Sequence, residues 1–138
     1  MSEHDAILFA NAAFYAAFTA HDPAAMDKVW ATDRPVCCVH PGRTALTSRD
    51  AVMRSWEAIL GNPETPRMTC HAEKVQVHGD IAIVTCIEHL ALPSGAQFLM
   101  ATNTFARIGA IWQMVHHQAG PVQVDPRIAE PAPKPALN

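Results

Sequence analysis

The hydrophobic pattern of this chain changes period once, near residue 66, and that change limits its possible folds more than any other feature. Before it, apolar residues recur every three or four positions, the spacing of an amphipathic helix. After it they alternate, the spacing of strands with two unlike faces. Residues 6–20 carry Ile7, Leu8, Phe14, Ala17 and Phe18 at helical spacing. Asp22 and Pro23 begin a short second helix through Met26, Val29 and Trp30, the aspartate as N-cap and the proline at the first helical position. Residues 36–39 read as a short buried strand stopped by Pro41-Gly42. Thr47-Ser48 caps a third helix over residues 49–60, with Val52, Trp56, Ile59 and Leu60 turned inward. Four long strands follow, over 67–78, 81–92, 96–107 and 111–117. Gly79-Asp80, Pro93-Ser94-Gly95 and Ile108-Gly109-Ala110 stand between them as hairpin signals.

Helices followed by an uninterrupted meander, with no strand–helix–strand alternation, predict an α+β fold with one antiparallel sheet. A length of 138 residues suits one domain. We expect it to occupy residues 1–122, with a mobile Pro-rich tail over 123–138. The formal charge of −3, without any Lys/Arg cluster, argues against nucleic acid or an anionic membrane as partner. An acidic start with no long apolar run after it predicts a cytoplasmic protein. Cys37, Cys38, Cys70 and Cys86 form no CxxC pair and sit in apolar stretches, so they read as buried free thiols. The eight histidines show no HExxH pattern and are spread over different elements, so neither a metal nor a cofactor is expected.

Several patches together resemble the SnoaL-like branch of the nuclear-transport-factor-2-like superfamily, which also holds ketosteroid isomerases and scytalone dehydratase. They are Phe14-Tyr-Ala-Ala-Phe18 before His21-Asp22, Cys38-Val-His-Pro-Gly42 before the run from Ser48 to Trp56, and Ala101-Thr-Asn-Thr-Phe105 leading into Trp112 to His117. The resemblance spans residues 5–122 and implies a cone: three N-terminal helices on a strongly curved sheet. For function it implies only a class, since the superfamily mixes isomerases, dehydratases, cyclases and association domains. The isomerase pattern is not intact. Its general-base position falls on His40, its oxyanion-hole tyrosine on Phe14, and its neutral aspartate on Ala101. Proton abstraction needs both a base and a site for the developing charge, so that activity in its familiar form is not expected.

Hairpin arithmetic places the side chains. A two-residue turn at Gly79-Asp80 sets His71 opposite Glu88; Gln97 opposite Leu92 makes Glu88 a neighbour of Ala101; a turn at Gly109-Ala110 sets Asn103 opposite His116. One face then carries His71, Glu88, Asn103, Phe105, Trp112, Met114 and His116, and we expect it under the helices. The other carries Ile81, Ile83, Ile87, Thr102, Val115 and His117, apolar enough to suggest a homodimer.

The chain is accordingly expected to bind a small hydrophobic molecule, with His40, His116 and Glu88 as candidate catalytic groups. Phe14, Trp30, Trp56, His71, Asn103, Phe105, Trp112 and Met114 are the candidate lining. Proton transfer or addition and elimination of water on a hydrophobic carbonyl compound would be the chemistry. Each candidate has a structural alternative. His40 can anchor its turn, Glu88 can pair with His71 merely to be buried, and the tryptophans can be core. A non-catalytic association domain with a filled pocket is the competing expectation.

Overall fold

The computed structural model describes residues 1–125; most of the predicted tail lies outside them. Helix α1 spans Glu3–Thr19, α2 Pro23–Val29 and α3 Arg49–Gly61. Each starts at a side chain that accepts a first-turn amide. Ser2 Oγ takes the N–H of Asp5 at 3.0 Å, Asp22 Oδ1 that of Ala25 at 3.0 Å, and Ser48 Oγ that of Ala51 at 3.1 Å. Arg49 fastens α3 to the end of α2 by donating to the carbonyls of Ala31 and Asp27 and to the Asp27 carboxylate.

The strands are β1 (Cys37–Val39), β2 (Met68–His78), β3 (Ile81–Leu92), β4 (Gly95–Ile108) and β5 (Ile111–Pro121). They form one sheet in the order β1-β5-β4-β3-β2, with β1 parallel to β5 and every other pair antiparallel. Helix α1 lies across β2, β3 and β5, and the core fills the space between. Phe14, Trp30, Phe105 and Met114 are fully buried there. The helix-first α+β architecture is as the residue pattern predicts, and the curved sheet is as the resemblance implies.

Register is where structure and expectation part. The β3–β4 turn sets Leu92 opposite Gly95, so Gln97 faces Leu90 and not Leu92. That slip of two leaves every face unchanged, because side chains repeat every second residue. Two bulges shift the pairing by one and do change faces. In β2 the register breaks between His71 and Lys74, and Ala72 takes a φ of 57°, an uncommon value for a residue with a Cβ. In β5 Phe105 pairs with Met114 but Thr104 with His116, leaving Val115 as the extra residue. His71 therefore pairs with Ile87, and Cys70 takes the place opposite Glu88. His116 turns to the outer face beside Thr104, and His117 turns inward beside Asn103. The expected sides of His71, His116 and His117 are thus corrected; Glu88 and Asn103 stand under the helices as predicted.

Candidate functional site

Glu88 lies in the middle of β3, on the inner face, and is 2% exposed. A lone carboxylate there would be costly, and the partner is Tyr15 of α1, whose hydroxyl donates to Oε2 at 2.7 Å. Tyr15 in turn accepts from Asn103 Nδ2 at 3.0 Å, and the same amide donates to Asn11 Oδ1 at 2.8 Å. Asn103 Oδ1 can only accept, so the 2.6 Å contact with His117 Nδ1 requires the proton on that nitrogen. One directed chain results: His117 to Asn103, Asn103 to Tyr15, Tyr15 to Glu88. Burial raises the Glu88 carboxyl to about 7, the Tyr15 hydrogen bond opposing it. Burial drives His117 down to about 3, helped by nearby His40 and His116, so its ring is neutral.

His40 ends the β1 segment and is 6% exposed. Ser55 Oγ already donates to the Val52 carbonyl, so at 2.8 Å it accepts from His40 Nε2. The His40 carbonyl also takes the Arg43 N–H at 3.0 Å, and its ring meets Trp56 edge to face at 4.9 Å. His40 is therefore an anchor for its turn. Burial and the nearby Arg43 charge lower its proton affinity, leaving Nδ1 as a lone pair.

These groups meet at a cavity of about 290 Å³ between α3, the 40–43 turn and the sheet. Phe18, Trp56, Ile59, Met68, Leu90 and Leu99 form apolar walls, and His40, Glu88 and His117 reach it. A larger hollow of about 690 Å³ lies elsewhere, between α1, α2 and the β4–β5 turn. Alanines line most of it, with Lys28 its one ionisable side chain. It offers volume without chemistry, so the smaller cavity is the candidate site.

Among the predicted residues the structure brings His40, Glu88 and Trp56 to the cavity, with Asn103 directly behind it. Phe14, Trp30, Phe105 and Met114 are core, and Trp112 borders the outer hollow. His71 sits outside, bonded to Thr69 Oγ1, so the expected Glu88–His71 pair does not exist. His116 is outside as well. Sequence reasoning missed Asn11, Tyr15 and His117. The first two had a signal: with Ile7, Phe14 and Phe18 they share the buried side of α1 at three- and four-residue spacing. Among the described residues no group of three or more His, Cys, Asp or Glu gathers to hold a metal ion, and no helix is long and apolar enough to cross a membrane.

A model of the SnoaL-like domain matches residues 7–123. The chain belongs to the SnoaL-like family. No curated protein matches this SnoaL-like domain, but solved structures do. An NTF2-like family protein of Streptomyces avermitilis, described as a candidate dehydratase, is 31% identical with a TM-score of 0.79, the match covering 88% of this chain and 98% of that one. A candidate calcium/calmodulin-dependent protein kinase type II association domain from Thiobacillus denitrificans is 34% identical with a TM-score of 0.74, over 83% and 93%. An uncharacterised Caulobacter vibrioides protein with a cystatin-like fold, 16% identical with a TM-score of 0.74 over 90% and 92%, shares the fold alone.

Proposed function

We propose that this SnoaL-like domain binds a small hydrophobic molecule in the inner cavity, and that Glu88 moves a proton to or from it in a lyase- or isomerase-type step. The observation that carries this reading is the Glu88 carboxyl itself. One oxygen is fixed by Tyr15, the other makes no hydrogen bond among the described residues, and the group lines an apolar cavity. A carboxyl that titrates near neutrality is suited to both halves of a proton transfer at cellular pH. Glu88 shares the role expected of His40, whose Nε2 is tied to Ser55 while its Nδ1 lone pair remains. The likeness to the Streptomyces candidate dehydratase supports the same class of chemistry. A screen of small apolar fragments by protein NMR should find submillimolar binders that shift His40, Trp56 and His117 together. Fragments that perturb only the α1–α2 hollow would contradict the proposal.

A second reading, self-association, is favoured by the Thiobacillus association domain and by apolar side chains on the outer sheet face, where Ile81 is 36% and Met100 40% exposed. A two-fold dimer through this face would cover both. We expect sedimentation at micromolar concentration to show a dimer and Met100→Glu to shift it towards monomer. A monomeric parent would remove this reading and leave the cavity proposal intact.

A further inference from the structure

The hydrogen-bond directions around the cavity say what kind of molecule fits it. His117 spends its proton on Asn103, so Nε2 carries a lone pair. His40 spends its proton on Ser55, so Nδ1 does likewise. Glu88 has Oε1 free. None of these three atoms makes a hydrogen bond among the described residues, yet none of them is a sealed, partnerless polar atom as the indole nitrogens of Trp30 and Trp56 are. All three residues line the same cavity, which puts these lone pairs within its wall. Of the remaining side chains there, Thr65 gives its hydroxyl proton to the Ile59 carbonyl, and the Trp56 N–H is sealed in the wall. With Glu88 ionised, the inner part of the site is rich in lone pairs and poor in donors, the reverse of an oxyanion hole; a protonated Glu88 adds one donor at Oε1, and the two imidazole lone pairs remain. The exposed cation Arg43 sits at the rim beside His40 and disfavours an ammonium as the donor.

Resting on the proposal that the cavity is a ligand site, we infer that its ligand is a neutral hydrophobic molecule that presents hydroxyl donors, with one hydroxyl directed at His117 Nε2 or Glu88 Oε1. The aromatic rings of Phe18 and Trp56 suit a flat body, and the volume suits one of about two rings.

Three probes test this in the full chain: naphthol, its methyl ether, and naphthalene, each titrated by NMR with the His40, Trp56 and His117 ring signals as readout. The ether keeps the shape and loses the donor. We expect naphthol to bind at least about tenfold tighter than the ether, the weight of one good hydrogen bond to such an acceptor, and the ether to bind no better than naphthalene. Glu88→Gln supplies a second arm. Tyr15 would donate to the new amide oxygen and turn the NH₂ towards the cavity, so the preference for naphthol should narrow to below about threefold where the hydroxyl meets Oε1 and persist where it meets His117 Nε2. Equal binding of naphthol and ether at the cavity overturns the inference while leaving a ligand site in place. Failure of all three to shift those signals overturns both.

Discussion

Replacing Asn103 with leucine is expected to destabilise the fold by about 3–5 kcal/mol, although the two side chains are similar in size. Hydrogen bonds to Asn11, Tyr15 and His117, with a longer one to Cys86 Sγ, end on this amide. Leucine would strand the His117 Nδ1–H and the Asn11 carbonyl oxygen in a dry interior, where each unpaired group costs about 1–3 kcal/mol. The network is also shared, so its members fall together. Urea unfolding should show the loss, with a melting point lower by roughly 10 °C or more. A change under about 1 kcal/mol would mean that the chain from His117 to Glu88 does not hold the helix on the sheet.

The second large effect is in pH dependence. The Glu88 carboxyl goes from an ordinary 4.5 to about 7 in the fold. Between those values the unfolded chain has released the proton and the folded chain keeps it. Glu88 therefore contributes stability that is full below pH 4.5 and lost as pH rises through about 7, in total about 3 kcal/mol. His117 acts in the opposite sense. Its folded value of about 3 lies below the ordinary 6.5, so its contribution is present above pH 6.5 and lost as pH falls. The two offset each other over the interval they share. Glu88→Gln removes one side of that balance and keeps an acceptor for Tyr15. Relative to the parent, the variant should gain about 3 kcal/mol between pH 4.5 and pH 8, roughly 10 °C in melting point. Melting curves for both proteins at the two pH values check it. A parallel pH response would show that Glu88 is ionised in the fold at ordinary carboxylate pH.

Much of this could be read from residue order, and the parts that could not have physical causes. The change of period near residue 66 and the caps at Asp22 and Ser48 were enough for the element order, because they act locally. Glu88 and Asn103 came out on the inner face even though the β3–β4 register was misjudged, since a slip of two preserves the face. The two bulges were illegible. Neither carries the glycine that would mark one; Ala72 takes the left-handed conformation itself, and Val115 is an ordinary strand residue. Their effect on the site was large, exchanging His116 for His117 and detaching His71 from Glu88. Tyr15 was legible as a core position on α1, but its pairing with a carboxylate 73 residues away depends on how helix and sheet dock, which no local pattern encodes.

The proposed function turns on Glu88 being a cavity carboxyl poised near neutrality. ¹³C NMR of carboxyl-labelled protein, with Glu88→Gln to assign the signal, reads this directly. The expected midpoint is near 7, moving when naphthol fills the cavity. A midpoint at the ordinary 4.5, indifferent to any cavity ligand, would contradict it.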